Sequence, residues 1–285
     1  MNLKTTFLLL IGITLWINNN VYAQPTKKID LKKYKRIDEP ARDEVSGIVK
    51  DFRYEDVYWV HGDSGTKNKI YAVNEKGEML PDKDSKGLEI IGIKNKDWED
   101  ITIDSEGNIL IADVGNNCSC RSDQTIIRIN SPDTNSKSTE DSEVIKVIYE
   151  KPEGFLYRFL NYSMDVEAVF WKEGSLFVLT KRFRGRETKL FRLDTFTVDE
   201  VNEFKLVQKI DFDDEVTAAD YAFGKLAVLT YKSLWIFPDN DTDDFFDGDV
   251  LHFEFEADQV ESVAFIDAQT VVIVEENGDM YKVEL

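Results

Sequence analysis

Five short segments along the chain share one pattern of apolar and polar positions. They are VSGIV (45–49), WEDIT (98–102), VEAVF (166–170), VTAAD (216–220) and VESVA (260–264). Each is followed by a polar turn and a second apolar run with a polar end. The second runs are VYWVHGDSG (57–65), ILIADVGNN (109–117), LFVLTKRF (176–183), LAVLTYK (226–232) and VVIVEEN (271–277). Short alternating runs bounded by Gly, Asn and Asp predict β-hairpins. The clearest lies in Trp98 to Asn117: strand Glu99–Ile103, turn Asp104–Asn108, strand Ile109–Asp113, then a loop rich in Gly and Asn. Further strands follow each hairpin, as KIYAVNE (69–75) and TKLFRLD (188–194) show. No stretch has the period of a long amphipathic helix.

The second positions of the five segments, Ser46, Glu99, Glu167, Thr217 and Glu261, are 53, 68, 50 and 44 residues apart. A unit of four short strands recurring every 40–50 residues or so predicts propeller blades. The fifth unit ends at Leu285 after three strands, and KKYKRID (32–38) is available as the fourth. The expected fold is therefore all-β: a five-bladed β-propeller with four-stranded blades, closed by an N-terminal strand, in one domain over 24–285. The long spacing after the second unit predicts a surface insertion at SPDTNSKSTED (131–141), which has the composition of a loop.

The residues before this domain change the setting. MNLK, an apolar run from Phe7 to Ile17 and the ending Val21-Tyr22-Ala23 predict a signal peptide over 1–23. A retained anchor is the alternative, although the run is short for a bilayer span. No Cys stands at the junction, which argues against a lipoprotein. The expected location is secreted or periplasmic. Cleavage leaves 285 − 23 = 262 residues and, with Lys4 removed, a charge of 34 − 55 = −21. So acidic a chain is not expected to bind nucleic acid or anionic membranes. A monomer with no membrane insertion after cleavage is expected.

Two His residues, His61 and His252, do not make a His-rich zinc site. Cys118 and Cys120 are either exposed loop thiols or a local loop staple; a ring so short is strained and reducible. The Asp-rich run PDNDTDDFFDGD (238–249) fails the EF-hand pattern, with Asp244 where Gly is needed and Val250 where Glu is needed. It is expected to be a solvated loop.

In a propeller the first strand of each blade lines the central channel, and its start lies beside the end of the second strand. That brings Glu99 near Asp113, Glu167 near Lys181, Thr217 near Tyr231, Glu261 near Glu275, and Ser46 near Asp63. Ser46, Glu99, Glu167, Thr217 and Glu261 form an inner ring, with Asp63, Ser64, Asp113, Asn116, Lys181, Tyr231 and Glu275 just outside. Two carboxylates about 6 Å apart repel by roughly 3 kcal/mol at an effective dielectric near 20. Three close Glu need a cation, shared protons or basic neighbours. An all-oxygen ring suits calcium, with Ser46, Glu99, Glu167, Thr217 and Glu261 as metal ligands. The alternative is a hydrated channel in which the Glu side chains splay apart. HGDSG (61–65) is not a nucleophile elbow, since no helix follows; it reads as a turn closing the strand. KRFRGR (181–186) either attracts an anionic group or is a solvated loop. Trp59, Trp98, Trp171 and Trp235 are expected to pack between blades.

The series SGI…WVHGDSG, WEDI…IADVGNN, DVEAV…LTKR, VTAAD…LTY and VESVAF…VEEN resembles, over Val45 to Leu285, a group of exported bacterial propellers described as SdiA-regulated or phytase-like. That resemblance implies a calcium site on the propeller axis. One ligand per blade is also similar to the axial ring of the five-bladed calcium-activated nucleotidases. Nucleotidase motifs beyond the ring are not recognised, so that activity does not carry over, and CSC (118–120) departs from the more charged loop typical of the group. The expected function is a calcium-dependent hydrolase of an ester or phosphoester. Asp113, Glu275 or Glu167 would act as base, and Lys181 and Tyr231 would stabilise negative charge. Asp63 and Asn116 would contact the ligand. The alternatives are a non-catalytic module that captures a small molecule, peptide or glycan in the central funnel, and a purely structural propeller.

Overall fold

The computed structural model describes residues 26–151, 164–181, 187–240, 244–246 and 248–285. The expected signal segment and residues 182–186 of the basic loop lie outside these. The described chain is all-β, in 22 strands. One sheet runs β3 (Val45–Lys50), β4 (Tyr58–Gly62), β5 (Lys69–Val73), β6 (Leu88–Ile90), with β10 (Ser138–Thr139) outermost. The largest has eight strands: β7 (Trp98–Ile103), β8 (Ile109–Asp113), β9 (Thr125–Ile129), β11 (Ser142–Tyr149), β15 (Val201–Ile210), β14 (Thr188–Leu193), β13 (Ser175–Thr180) and β12 (Val166–Lys172). It consists of two antiparallel meanders joined where β11 and β15 pair in parallel, with Lys146 opposite Val201. The third is β16 (Val216–Ala222), β17 (Lys225–Thr230), β18 (Ser233–Pro238), β19 (Leu251–Glu254), β1 (Lys27–Lys28), and the fourth β20 (Val260–Asp267), β21 (Thr270–Glu275), β22 (Asp279–Glu284), β2 (Lys33–Arg36).

The inner strands close a circle: β3 lies against β7, β7 against β12, β12 against β16, β16 against β20, and β20 against β3. Alternation buries apolar side chains in wedges between successive hairpins. Trp59 and Trp98 are fully buried in one wedge, and Trp171 and Trp235 pack at the margins of others. The Asp-rich run departs from the solvated loop expected of it. Phe245 and Phe246 are buried beside Phe170, Phe177, Phe212 and Phe237, because two rings gain more from burial than the flanking acids lose.

Outer edges are paired, since an open edge exposes a row of N–H and C=O groups. The expected N-terminal strand is β2, antiparallel to β22. Three other edge contacts were not expected. β1, from the polar lead, runs parallel to β19. The 131–141 insertion, expected to be wholly loop, contributes β10 to β6. The edges of β11 and β15 cover each other.

At the hub, inner strands of different hairpins do not share a ladder, so some inward N–H groups need other acceptors. Asp100 supplies one. Its Oδ1 accepts from Ile101 N at 2.8 Å, and its Oδ2 from Val169 N at 2.8 Å on β12 and Ala219 N at 3.3 Å on β16. Asp220 Oδ2 accepts from Phe265 N on β20 at 2.8 Å. Burial raises both carboxyls, Asp220 to about 7. Gly47, Ala168, Ala218 and Ser262 stand where the other hairpins match Asp100, leaving room for a single carboxylate.

Candidate metal centre at the hub

Every ring residue occupies the extra position of a β-bulge. On β7, Trp98 pairs with Asp113 and Asp100 with Ala112, so Glu99 is left over. The same shift isolates Ser46, Glu167, Thr217 and Glu261. A bulge re-aims one side chain without changing the faces of its neighbours. It also sets the register: Trp98 sits opposite Asp113 and Val260 opposite Glu275, with Glu99 and Glu261 one residue further on.

The carboxylates brought together are therefore a different set from the ring as expected. Asp63, Asp97 and Glu99 each offer an oxygen within 4.8 Å of the others, and so do Glu99, Asp165 and Glu167. Glu99 belongs to both groups. Oxygens bound to one calcium at roughly 2.3–2.6 Å lie at most about 5 Å apart, so either group fits such an ion. Thr217, at the matching bulge, is 1% exposed, and among the described residues its Oγ1 has no hydrogen-bond partner. Ser46 is spent differently, donating its Oγ to the Glu99 carbonyl. Glu261 accepts from Tyr231 Oη at 3.1 Å, outside both groups.

Lys181 Nζ donates to Glu167 Oε1 at 3.2 Å and lies 5.7 Å from the Tyr231 ring centre. Asp113 and Glu275, expected to be catalytic, are engaged elsewhere. Asp113 Oδ1 accepts from Arg121 Nη2 at 2.8 Å and from Asp97 N at 3.2 Å. Glu275 Oε1 accepts from Tyr281 Oη at 3.0 Å and Asp258 N at 3.2 Å, and its Oε2 from Asn277 Nδ2 at 3.0 Å. Asn116, expected to contact ligand, turns its Oδ1 into its own loop, where it accepts from the N–H groups of Cys120 and Arg121.

Asp97 and Asp165 were missed, although the sequence held a signal for them. Glu44, Asp97, Asp165, Glu215 and Gln259 all stand two residues before a ring position. Alternation alone would put such a residue on the ring residue's own face.

Burial is the main cause of the unusual acidity here. It raises Glu99 well above the carboxylate range, helped by Glu167, Asp63, Asp97 and Asp165. Burial likewise lifts Glu167 to about 8 against the pull of Lys181, and Glu261 to about 7. Asp63, Asp97 and Asp165 are also raised by burial. Lys181 is raised although burial opposes it, because Glu167 and other anions outweigh that cost.

Gly115 closes one wall. A Cβ there would lie 1.8 Å from Glu99 Oε1 and 2.6 Å from Asp97 Oδ2. Gly115→Ala is therefore expected to displace both carboxylates and to lower divalent-cation affinity by about tenfold, measured by calorimetric titration. An unchanged affinity would place the cation elsewhere.

No protein-family model matches the chain, and no curated protein matches it in sequence. Among solved structures, the PQQ-bound aldose sugar dehydrogenase of Streptomyces coelicolor aligns with 89% of this chain and 97% of its own, at a TM-score of 0.54 and 12% identity. A glutaminyl cyclase of Myxococcus xanthus covers 91% of this chain and 97% of its own, at a TM-score of 0.49 and 10% identity. A putative gluconolactonase covers 80% and 70%, at 0.45 and 10%. The first likeness defines the class: the chain is a β-propeller. Its buried acidic groups could hold a metal ion. At such identities only the fold is shared.

Proposed function

We propose that the chain is an exported, calcium-binding propeller that hydrolyses an ester or phosphoester, with a place among the SdiA-regulated or phytase-like propellers. Counting the two meanders of the eight-stranded sheet separately would give five blades, one for each inner strand, of four strands each with β10 and β1 added at the outer edges of two. The observation that carries the cation is the pair of carboxylate groups sharing Glu99, with the unpartnered Thr217 hydroxyl at the matching bulge. Either Asp63, Asp97 and Glu99 or Glu99, Asp165 and Glu167 would hold it. Calcium supplies, when bound, a positive charge that polarises a substrate oxygen. With the ion on Asp63, Asp97 and Glu99, Glu167 stays outside the ligand set. In the metal-free centre it is lifted to about 8, which suits proton exchange near neutral pH. Lys181 and the Tyr231 hydroxyl offer donors to developing negative charge. The second reading, a module that binds a small molecule, peptide or glycan without turnover, draws support from the engagement of Asp113 and Glu275 in structural hydrogen bonds.

The test is thermal unfolding across pH, with a panel of chromogenic phosphoesters, carboxyl esters and lactones. Glu167 and Glu261 have folded pKa values of about 8 and about 7, above the unfolded value of 4.5. Their contribution is fully present below pH 4.5 and is lost as pH rises through 7 and 8. Metal-free protein should therefore melt at lower temperature at pH 8 than at pH 5. Calcium at about a hundred times its Kd should restore roughly 5–10 °C at pH 8 and less at pH 5, because protons compete with it. No calcium effect at pH 8 would sink the cation. A calcium effect with no turnover of any substrate would favour the binding module.

A further inference from the structure

The loop beside the acidic groups carries both cysteines of the chain, joined as the disulfide Cys118–Cys120 and exposed to solvent. We propose that this disulfide is a thiol-exchange site whose redox state sets the cation affinity of the acidic centre, an inference that rests on the calcium reading above.

The contacts run from the disulfide to three of the five carboxylates. Asn116 Oδ1 accepts from Cys120 N at 2.9 Å and Arg121 N at 2.8 Å, so the disulfide loop folds around this one side chain. The backbone N–H of Asn116 donates to Asp165 Oδ1 at 2.6 Å. Arg121 Nη1 donates to the Gly115 carbonyl at 2.8 Å and lies 3.7 Å from Asp97 Oδ2, while its Nη2 holds Asp113 at 2.8 Å. Gly115 N donates to the Asp97 carbonyl at 3.2 Å, and its Cα faces Glu99 Oε1. Residues 115, 116 and 121 thus press on Glu99, Asp165 and Asp97, and the disulfide lies between 116 and 121. Ser119, the residue enclosed by the disulfide, has φ +52°. That left-handed conformation is unfavourable for a residue with a side chain.

Exchange needs a thiol reductant. A thiolate of a small dithiol attacks one exposed sulfur, forms a mixed disulfide and expels the other cysteine as thiolate. The second thiol of the reductant then displaces the mixed disulfide and leaves as a cyclic disulfide. The protein gains two electrons and two protons, held as the thiols of Cys118 and Cys120. Ser119 is then free to leave the left-handed region. Asn116 loses its hold on the amides of Cys120 and Arg121, and Arg121 its position over Asp97. Groups that orient the ligands of a metal typically change its affinity by 10–100-fold. The loosened loop should weaken calcium binding by about tenfold.

The experiment uses the full chain in three forms: oxidised, reduced with dithiothreitol (with thiols counted), and the Cys118→Ser/Cys120→Ser double variant. Each is titrated with calcium, and amide hydrogen exchange is followed over residues 113–121. The expected result is about tenfold weaker binding and faster exchange at Asn116–Arg121 in the reduced and double-serine forms. Reoxidation should restore both. Equal affinity in all three forms overturns the inference, as does unchanged exchange on complete reduction. If the oxidised protein takes up no calcium, the cation reading fails by itself, and the exchange data still show whether the disulfide holds the loop.

Discussion

Asp100→Ala destabilises the fold by about 4 kcal/mol, read as a lower guanidinium midpoint with an unchanged m-value. The size follows from what the side chain does. Three backbone N–H groups, those of Ile101, Val169 and Ala219, donate to its two oxygens. Removing the carboxylate leaves these buried donors without an acceptor, at about 1–3 kcal/mol each before relaxation or an entering water lowers the sum. The loss is mechanical as well, because Asp100 is a bond from β7 to both β12 and β16, which have no ladder in common. Asp100→Asn keeps one oxygen and should lose less, about half as much. If Asp100→Ala is within about 0.5 kcal/mol of the parent, the hydrogen bonds of Asp100 do not hold the hub.

Glu99→Gln separates two properties that metal sites often confound. Glu99 belongs to both carboxylate groups, so its charge is common to both. Its replacement should weaken calcium binding on the order of a hundredfold, or about 2.7 kcal/mol. The same change should stabilise the metal-free protein at pH 8. Burial raises Glu99 well above the usual range, with Glu167, Asp63, Asp97 and Asp165 adding to the effect, so ionising it in the folded state costs free energy. Gln keeps the shape and omits that cost. The expected variant therefore melts higher than the parent without calcium and gains little from adding it. A variant with the parent's calcium content and melting temperature would show that the cluster is not the cation site.

Gly115→Ala acts on the same two carboxylates sterically, so agreement between the two variants would tie the affinity to geometry as well as to charge.

The order of the hairpins was legible in the sequence because it depends on near neighbours: alternation over five or six residues, and Gly or Asn where the chain must turn. Repetition of that pattern implied a propeller, and the three-stranded last unit implied a closing strand, found as β2. The acidic character of the centre was legible too, since Glu99 and Glu167 stood at equivalent places in the repeat.

The exact membership of the site was not. A bulge is one residue of slippage between two strands, and both registers of WEDIT against ILIAD satisfy the apolar pattern nearly as well. Only when β7 packs between β3 and β12 does the slipped register turn Glu99 to the axis and leave Asp113 with Arg121. Asp97 and Asp165 enter because the loops before β7 and β12 converge on the same point. Edge pairing by β1 and β10 was hidden for a related reason: two-residue strands carry no periodicity, and the unpaired edge of another sheet selects them. The sequence by itself determined that β-hairpins recur along the chain, because that follows from local alternation and turn chemistry. Tertiary structure alone decided which carboxylates meet, because that depends on one-residue registers and on loops that approach one another only once the ring of inner strands has closed.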